Sequence, residues 1–310
     1  MGRFIHDALH YGEDAELAAA LVPFLRAGLD AGERAVLVCA DRNAALLTEA
    51  LGSDARVDRM PRAEVYRRSP TAIAAFQQLM ERELAAGTTG VRLVGEVDFG
   101  DHPARWTEWS RFEAVCNHAL GHFPLWSVCM YDTRRLPAEV LSASELTHPN
   151  LRTATDRTAN DRYLPPVDYL RRSAPAEPDP IEATTPVFAV RELTDLVELR
   201  ADLLGALTRA GLPERRAHDF VFAVSEVTTN ALRHGRPPVQ IRLWSDADHS
   251  VCTVADAGPG FDDPLAGYVP AHGGDLSRGG MGLWLARQLC DQVTMAQTPV
   301  GFTVRLVTLL

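Results

Sequence analysis

Lysine is absent from this chain: all 31 basic side chains are arginine. That absence rules out a Walker A lysine, a protein-kinase ATP lysine and Schiff-base chemistry. Cysteine is scarce and unpatterned. Five residues (Cys39, Cys116, Cys129, Cys252, Cys290) make no CxxC pair, which fits a reducing cytosol and no disulfide framework. No run reaches the ~18 apolar residues of a membrane span. The stretch Met1 to Leu9 carries His6 and Asp7 where a secretory signal needs an unbroken apolar core. Positive charge is in deficit, with 41 acidic residues against 31 basic giving a net −10, which argues against broad binding to phosphate backbones. What is present is a chain of 310 residues, 46% hydrophobic with a mean hydropathy of −0.10, enough for two globular domains. The expectation is a cytoplasmic protein with no membrane and no direct nucleic acid among its partners.

Proline marks the division. Pro165, Pro166, Pro175, Pro178, Pro180 and Pro186 crowd into one stretch with Arg171, Arg172, Glu177 and Asp179. Proline fixes φ and restricts its neighbour, so 161–185 reads as an extended, semi-rigid linker between domains at 1–160 and 186–310. Before it, apolar runs at 34–40, 91–97 and 125–131 alternate with helical periods at 14–29, 43–51, 70–86 and 105–120. That rhythm predicts an α/β domain with a largely parallel sheet. After it, a strand at 187–191, helices at 193–210 and 214–232, a strand pair at 239–244 and 250–255, a helix at 282–290 and strands at 292–297 and 302–309 predict an α+β layer. Its sheet should be mostly antiparallel, with helices on one face.

Three segments of the second domain carry chemistry. Ser225 to Gly235 (SEVTTNALRHG) puts Glu226 and Asn230 four apart on one helix face. A carboxylate there can polarise a hydroxyl, and an amide oxygen can ligate Mg²⁺ without adding charge. Asp256-Ala257-Gly258-Pro259-Gly260-Phe261 follows an apolar strand; the acid can accept an exocyclic amine, and the glycines let backbone approach a ligand. Arg278-Gly279-Gly280-Met281-Gly282-Leu283 opens a helix whose N–H groups and dipole suit phosphate. A Rossmann turn is excluded, because a glycine-rich loop stands where the preceding strand should be. Taken singly, these pieces have ordinary explanations: a solvated helix face, an Asp-x-Gly turn, a glycine-rich loop.

Taken together, E-x-x-x-N, D-x-G-x-G and G-x-G resemble, in order and at the right element boundaries, the Bergerat (GHKL) ATP-binding fold of histidine kinases and gyrase. The likeness spans roughly 186–310. Within that superfamily the match at Glu226, Asn230, Ala231, His234 and Gly235 most resembles the anti-sigma serine kinases of bacterial stress response and sporulation. The resemblance implies ATP and Mg²⁺ as cofactors. It makes Glu226 the general base, Asn230 the Mg²⁺ ligand and Asp256 the adenine acceptor. Gly258 and Gly260 would line the base pocket, Gly280 and Gly282 would face the phosphates, and Arg278 would reach the γ-phosphate from a lid at 262–278. His234 is expected to cap and pack its helix end.

The first domain resembles a RecA-like core that lacks a P-loop. Phe4 to Tyr11, Glu16-Leu17, Val22 to Glu33, Val94-Gly95-Glu96, the helix from Trp109 to Glu113, Cys129 to Asp132 and His148-Pro149 resemble the MEDS sensory domain, named for methanogen and methylotroph regulators. The resemblance implies sensing of a small-molecule ligand. His6, Glu96, Glu113, Cys129, Asp132 and His148 would line the sensor pocket if they converge at the C-terminal ends of the strands. Of two further readings, a metal site from His6, Cys129 and His148 or buried polar residues that satisfy one another, the second is the expectation.

The functional expectation is a regulator of transcription: an anti-sigma factor that binds a sigma factor, phosphorylates a serine of a STAS-type anti-anti-sigma partner, answers to its sensory domain and is free to form a homodimer. The alternatives are a nucleotide-gated binding module without transfer, and an atypical histidine kinase. The latter is disfavoured, since prolines precede the ATPase where a dimerisation hairpin would be needed.

Overall fold

Alternation of inward and outward side chains sets the first layer of the structure, a computed structural model describing residues 4–173, 178–193, 195–270, 280–298 and 301–310. Strands β1 (Ile5–Tyr11), β2 (Arg34–Val38), β3 (Val57–Arg59), β4 (Val91–Gly95), β5 (Leu125–Asp132), β6 (Asn150–Arg152) and β7 (Arg157–Ala159) form one sheet in the order β3-β2-β4-β5-β1-β6-β7. All its pairs are parallel except β6 with β7. Helices α1 (Asp14–Asp30), α2 (Asp41–Leu51), α3 (Arg62–Val65), α4 (Ser69–Ala85), α5 (Pro103–Ala119) and α6 (Ala138–Thr147) connect and cover it, and α7 (Pro166–Arg172) follows. Successive β1 side chains serve opposite faces. Leu9 and Tyr11 pack with Leu17, Leu21 and Phe24 of α1 and Leu47 of α2. His6 and His10 face the other way, toward Glu113 of α5 and Ser144 of α6.

The second unit is built from β8 (Phe188–Val190), α8 (Leu196–Arg209), α9 (Glu214–His234), β9 (Gln240–Ser245), β10 (His249–Asp256), α10 (Gly282–Leu289), β11 (Gln292–Thr298) and β12 (Gly301–Leu309). Its sheet runs β11-β12-β10-β9-β8, every pair antiparallel. Leu199 and Leu203 of α8, Phe220 and Val224 of α9 and Ala286 of α10 share one core with Ile241, Leu243, Cys252, Val254 and Leu306 of the sheet. The helices therefore bury their apolar stripes against one sheet face, as expected. Among the described residues, no helix is long and apolar enough to cross a membrane.

The chain divides into units Met1–Leu170 and Arg171–Leu310. The stretch 161–185 is less extended than expected. Pro166 opens α7, whose Tyr169 and Leu170 are buried. Pro180 opens a single 3-10 turn, Pro180–Ala183, capped by Asp179. Both prolines occupy helix starts, where the missing N–H has no partner to lose. Glu182 then pairs with Arg305, and Trp244 Nε1 donates to the Thr184 carbonyl at 3.1 Å, so 179–184 is part of the second unit.

Candidate functional site

In the second unit, α9 is an amphipathic helix whose inward stripe of Phe220, Val224 and Val227 fixes its roll on the sheet. That roll leaves Glu226 and Asn230 half-buried on its flank, one turn apart. Asn230, Ala231, His234 and Gly235 of α9's last turn border a cavity of about 360 Å³, within the range of small-ligand sites. Val227, Val254, Phe261, Leu283, Phe302 and Val304 supply its apolar wall, and Asp256, Gly260 and Gly280 complete the lining. Glu226 is set back from that lining by one helical turn.

Asp256 ends β10. Its Oδ1 accepts from Arg236 N at 3.1 Å and from Gly258 N at 2.7 Å, which ties the loop after α9 to the loop after β10. Oδ2 takes no hydrogen bond among the described residues and is the oxygen left for the cavity. Gly258 sits behind Asp256, bracing it from outside the lining. A Cβ on Gly235 would strike the Asp256 carboxyl, so this helix end must be glycine. Gly260 has φ +64°, and a Cβ there would strike the Phe302 ring. Register places Phe302 of β12 directly opposite Asp256 of β10, and its ring meets Phe261 at 5.4 Å.

Gly282 begins α10, where a Cβ would lie 2.7 Å from Asn230 Nδ2. That close approach seats Asn230 against a helix start with no side-chain cap, whose first N–H groups lack intrahelical partners. Arg278 lies outside the described residues, as does the rest of 271–278, the second half of the expected lid. Its described beginning is anchored: Tyr268 is buried, with the Arg287 guanidinium 4.0 Å over its ring and Arg287 Nε donating to the Ala266 carbonyl.

In the first unit, four of the six expected pocket residues meet and two do not. His6 of β1, Glu113 of α5, Cys129 of β5 and His148 after α6 are all buried, with one potential ligand atom from each within 4.8 Å of the others. They lie under α5 and α6 on a sheet face, not at the C-terminal strand ends. Glu96 is instead at the end of β4, accepting from Ala40 N at 2.8 Å and Asn43 Nδ2 at 3.0 Å. Asp132, at the end of β5, is paired with Arg134 at 2.7 Å, which holds its carboxyl below the usual range. Burial, then Glu96 and Asp132, push the Tyr11 phenol up to about 12.

Mutual satisfaction of the buried four fails at one atom. His148 Nε2 has no hydrogen-bond partner, although the residue is fully buried. Burial, then the neighbouring His6, hold His148 well below the ordinary histidine value, so its ring is neutral. Burial and then the Glu113 charge push the Cys129 thiol well up.

Sequence reasoning missed the aromatic wall of the open cavity, because Phe302 reaches Asp256 only through strand register. It also missed Asp7, fully buried, which accepts from Trp126 Nε1 at 2.9 Å, Arg157 Nε at 2.9 Å and Arg152 at 3.1 Å.

Comparison with known proteins matches both units. The family described as the methanogen/methylotroph, DcmR sensory domain (MEDS) covers residues 5–149, and the histidine kinase-like ATPase domain covers residues 190–308. The serine-protein kinase RsbW of Bacillus velezensis is 33% identical over 149 residues, spanning 44% of this chain and 83% of the relative. RsbW of Bacillus subtilis is 32% identical over 148 residues (44% and 82%), and that of Staphylococcus aureus 31% over 138 residues (41% and 84%). With its open site built from α9, β10 and α10, and with a MEDS domain in the same chain, the protein belongs to the family of the RsbW serine-protein kinases.

Proposed function

We propose that the chain is an anti-sigma factor and ATP-dependent serine kinase of the cytosol. It would hold a sigma factor and phosphorylate a STAS-type anti-anti-sigma partner, controlling stress-responsive transcription. The observation that carries this reading is the cavity of about 360 Å³ uniting Asn230, Asp256, Gly260 and Gly280. The residues present fit a purine nucleotide. Two aromatic rings wall the cavity, a carboxylate oxygen with no hydrogen-bond partner among the described residues borders it, and a helix start without a side-chain cap lies beside it.

On this reading Asp256 Oδ2 accepts from the exocyclic amine of adenine, and Phe261 and Phe302 exclude water from the base. Gly260 lets the chain pass over Phe302, and Gly258 braces the carboxylate. Asn230 offers its amide oxygen to Mg²⁺, an uncharged hard ligand. Gly280 and Gly282 expose backbone N–H groups to phosphate, with Arg278 and the 262–278 segment completing that end. Glu226, one turn back, takes the proton of the acceptor serine hydroxyl and holds it as a general base. ATP supplies the phosphoryl group, and Mg²⁺ offsets its charge. The first unit is the sensory domain, a RecA-like core without a P-loop, and its small-molecule ligand biases the kinase. Such control requires that ligand to bind two states of the protein unequally.

The test is transfer from radiolabelled ATP by the full chain to STAS-type proteins of the same genome, followed by phosphoamino-acid analysis. Acid-stable phosphoserine, lost in Asn230→Ala, is expected. ATP binding without transfer would make the chain a nucleotide-gated binding module, and acid-labile phosphohistidine would make it a histidine kinase.

A further inference from the structure

We infer that His6, Glu113, Cys129 and His148 form a closed zinc-type site inside the first unit. The donor set comes first. His6 Nδ1 lies 3.2 Å from Asn117 Oδ1, and the Asn117 amide nitrogen is committed to the carbonyls of Glu113, Ala114 and Thr147. The Asn117 oxygen therefore accepts, His6 carries its proton on Nδ1, and its Nε2 is a bare lone pair. His148 Nδ1 lies 2.8 Å from the Ser144 carbonyl, which can only accept, so its Nε2 is bare as well. These outer partners fix tautomer and ring orientation as the second shell of a metal-bound histidine does. Glu113 is steadied in the same way by the Tyr131 hydroxyl at 3.3 Å.

The spacing comes second. His6 Nε2 is 3.2 Å from Glu113 Oε2 and 3.3 Å from Cys129 Sγ; Cys129 Sγ is 3.5 Å and His148 Nε2 3.7 Å from the same Glu113 oxygen. Bonds of about 2.0–2.3 Å in tetrahedral geometry place ligand atoms ~3.3–3.8 Å apart, and these four pairs, at 3.2–3.7 Å, lie within or just below that spacing. With both imidazoles neutral and Glu113 ionised, hydrogen bonding alone leaves the cluster short of protons. The Cys129 S–H is then the one hydrogen aimed among the two Nε2 atoms and Glu113 Oε2, and it reaches His6 or Glu113 but not both. His148 Nε2, buried and without a hydrogen-bond partner, then faces a carboxylate oxygen, an arrangement that costs free energy unless a cation lies between them.

Two imidazoles, one sulfur and one carboxylate suit a divalent metal of zinc type. Four protein ligands complete a tetrahedron and leave no open position, so the ion is structural. It ties β1, β5, α5 and the end of α6 together at a point where the fold otherwise buries an unsatisfied imidazole nitrogen.

The experiment uses the untagged full chain, loaded with Zn²⁺ and then dialysed, with Co²⁺ loaded in a parallel sample. One zinc per chain is expected, and the cobalt form should show tetrahedral visible bands with a sulfur-to-cobalt charge-transfer band. Cys129→Ser should lose that band, Cys252→Ser should keep it, and His148→Ala should release its zinc on dialysis. A wild-type chain that is folded by circular dichroism, yet retains no stoichiometric zinc or gives an octahedral cobalt spectrum without the sulfur band, overturns the site. So does a Cys129→Ser variant with the band intact. The wild-type spectrum decides the matter alone if the variants do not fold.

Discussion

The two units gather polar groups in opposite ways. In the first, four side chains from four separate elements converge where solvent does not reach, and His6, Glu113 and His148 are each oriented by a partner behind them. In the second, backbone and glycine do most of the shaping: Gly235, Gly260 and Gly282 sit where a Cβ would collide with Asp256, Phe302 or Asn230. A closed set of side-chain donors suits a resident ion. An open cavity with one carboxylate, two rings and an uncapped helix start suits a ligand that enters and leaves. Substitutions in the closed region should therefore register first in stability, and those in the open region in binding and transfer.

The largest effect is expected at Glu226. Glu226→Gln should slow phosphoryl transfer by ~10²–10⁴-fold, the usual contribution of a general base, with ATP affinity unchanged. Single-turnover transfer beside calorimetric binding checks this; a variant as fast as wild type removes Glu226 from the chemistry. Next comes Asp7, the anionic centre for Arg152 and Arg157. Asp7→Asn leaves two guanidiniums without their counter-charge and should cost about 3–5 kcal/mol, read from hydrogen exchange of the β1 amides. Transfer by the second unit should survive it at low temperature. Loss of nucleotide binding with β1 exchange unchanged would erase the contrast between the regions.

Gly260→Ala sharpens the contrast further. A non-glycine residue at positive φ costs about 1–3 kcal/mol, and here the new methyl must also displace Phe302. Gly211→Ala is the control, with φ +90° and nothing within 4 Å. Both should lower stability, and only Gly260→Ala should weaken nucleotide binding in fluorescence titration. Equal affinity in the two variants would take Phe302 out of the cavity's function.

How far each region could be read from sequence follows the same contrast. The second unit's elements were legible almost residue by residue, because α9 has strong helical periodicity and each glycine cluster punctuates an element end. The first unit was harder. β1 does not read as a strand from sequence, since His6, Asp7 and His10 interrupt its apolar pattern and their partners lie more than a hundred residues away. The short β3, β6 and β7 hold three residues each, too few to show a period, and α6 has almost no amphipathic period to read. Glu96 and Asp132 are indistinguishable from the buried four in sequence, which places residues near strand ends without saying which side chains meet. The prolines of 161–185 read as linker when Pro166 and Pro180 start helical turns.

The smallest effect of the series bears most directly on the open site. Asp256 has one carboxylate oxygen committed to backbone and the other left for the cavity, so Asp256→Asn should remove an acceptor while keeping the shape. Losing such a bond costs about 1–3 kcal/mol, or ~5- to 150-fold in Kd. Calorimetric titration of ATP with Mg²⁺ into the full chain, wild type against Asp256→Asn, measures it. One nucleotide per chain, bound more weakly by the variant within that range, is the expected result; equal affinity would place the nucleotide somewhere other than the cavity of α9, β10 and α10.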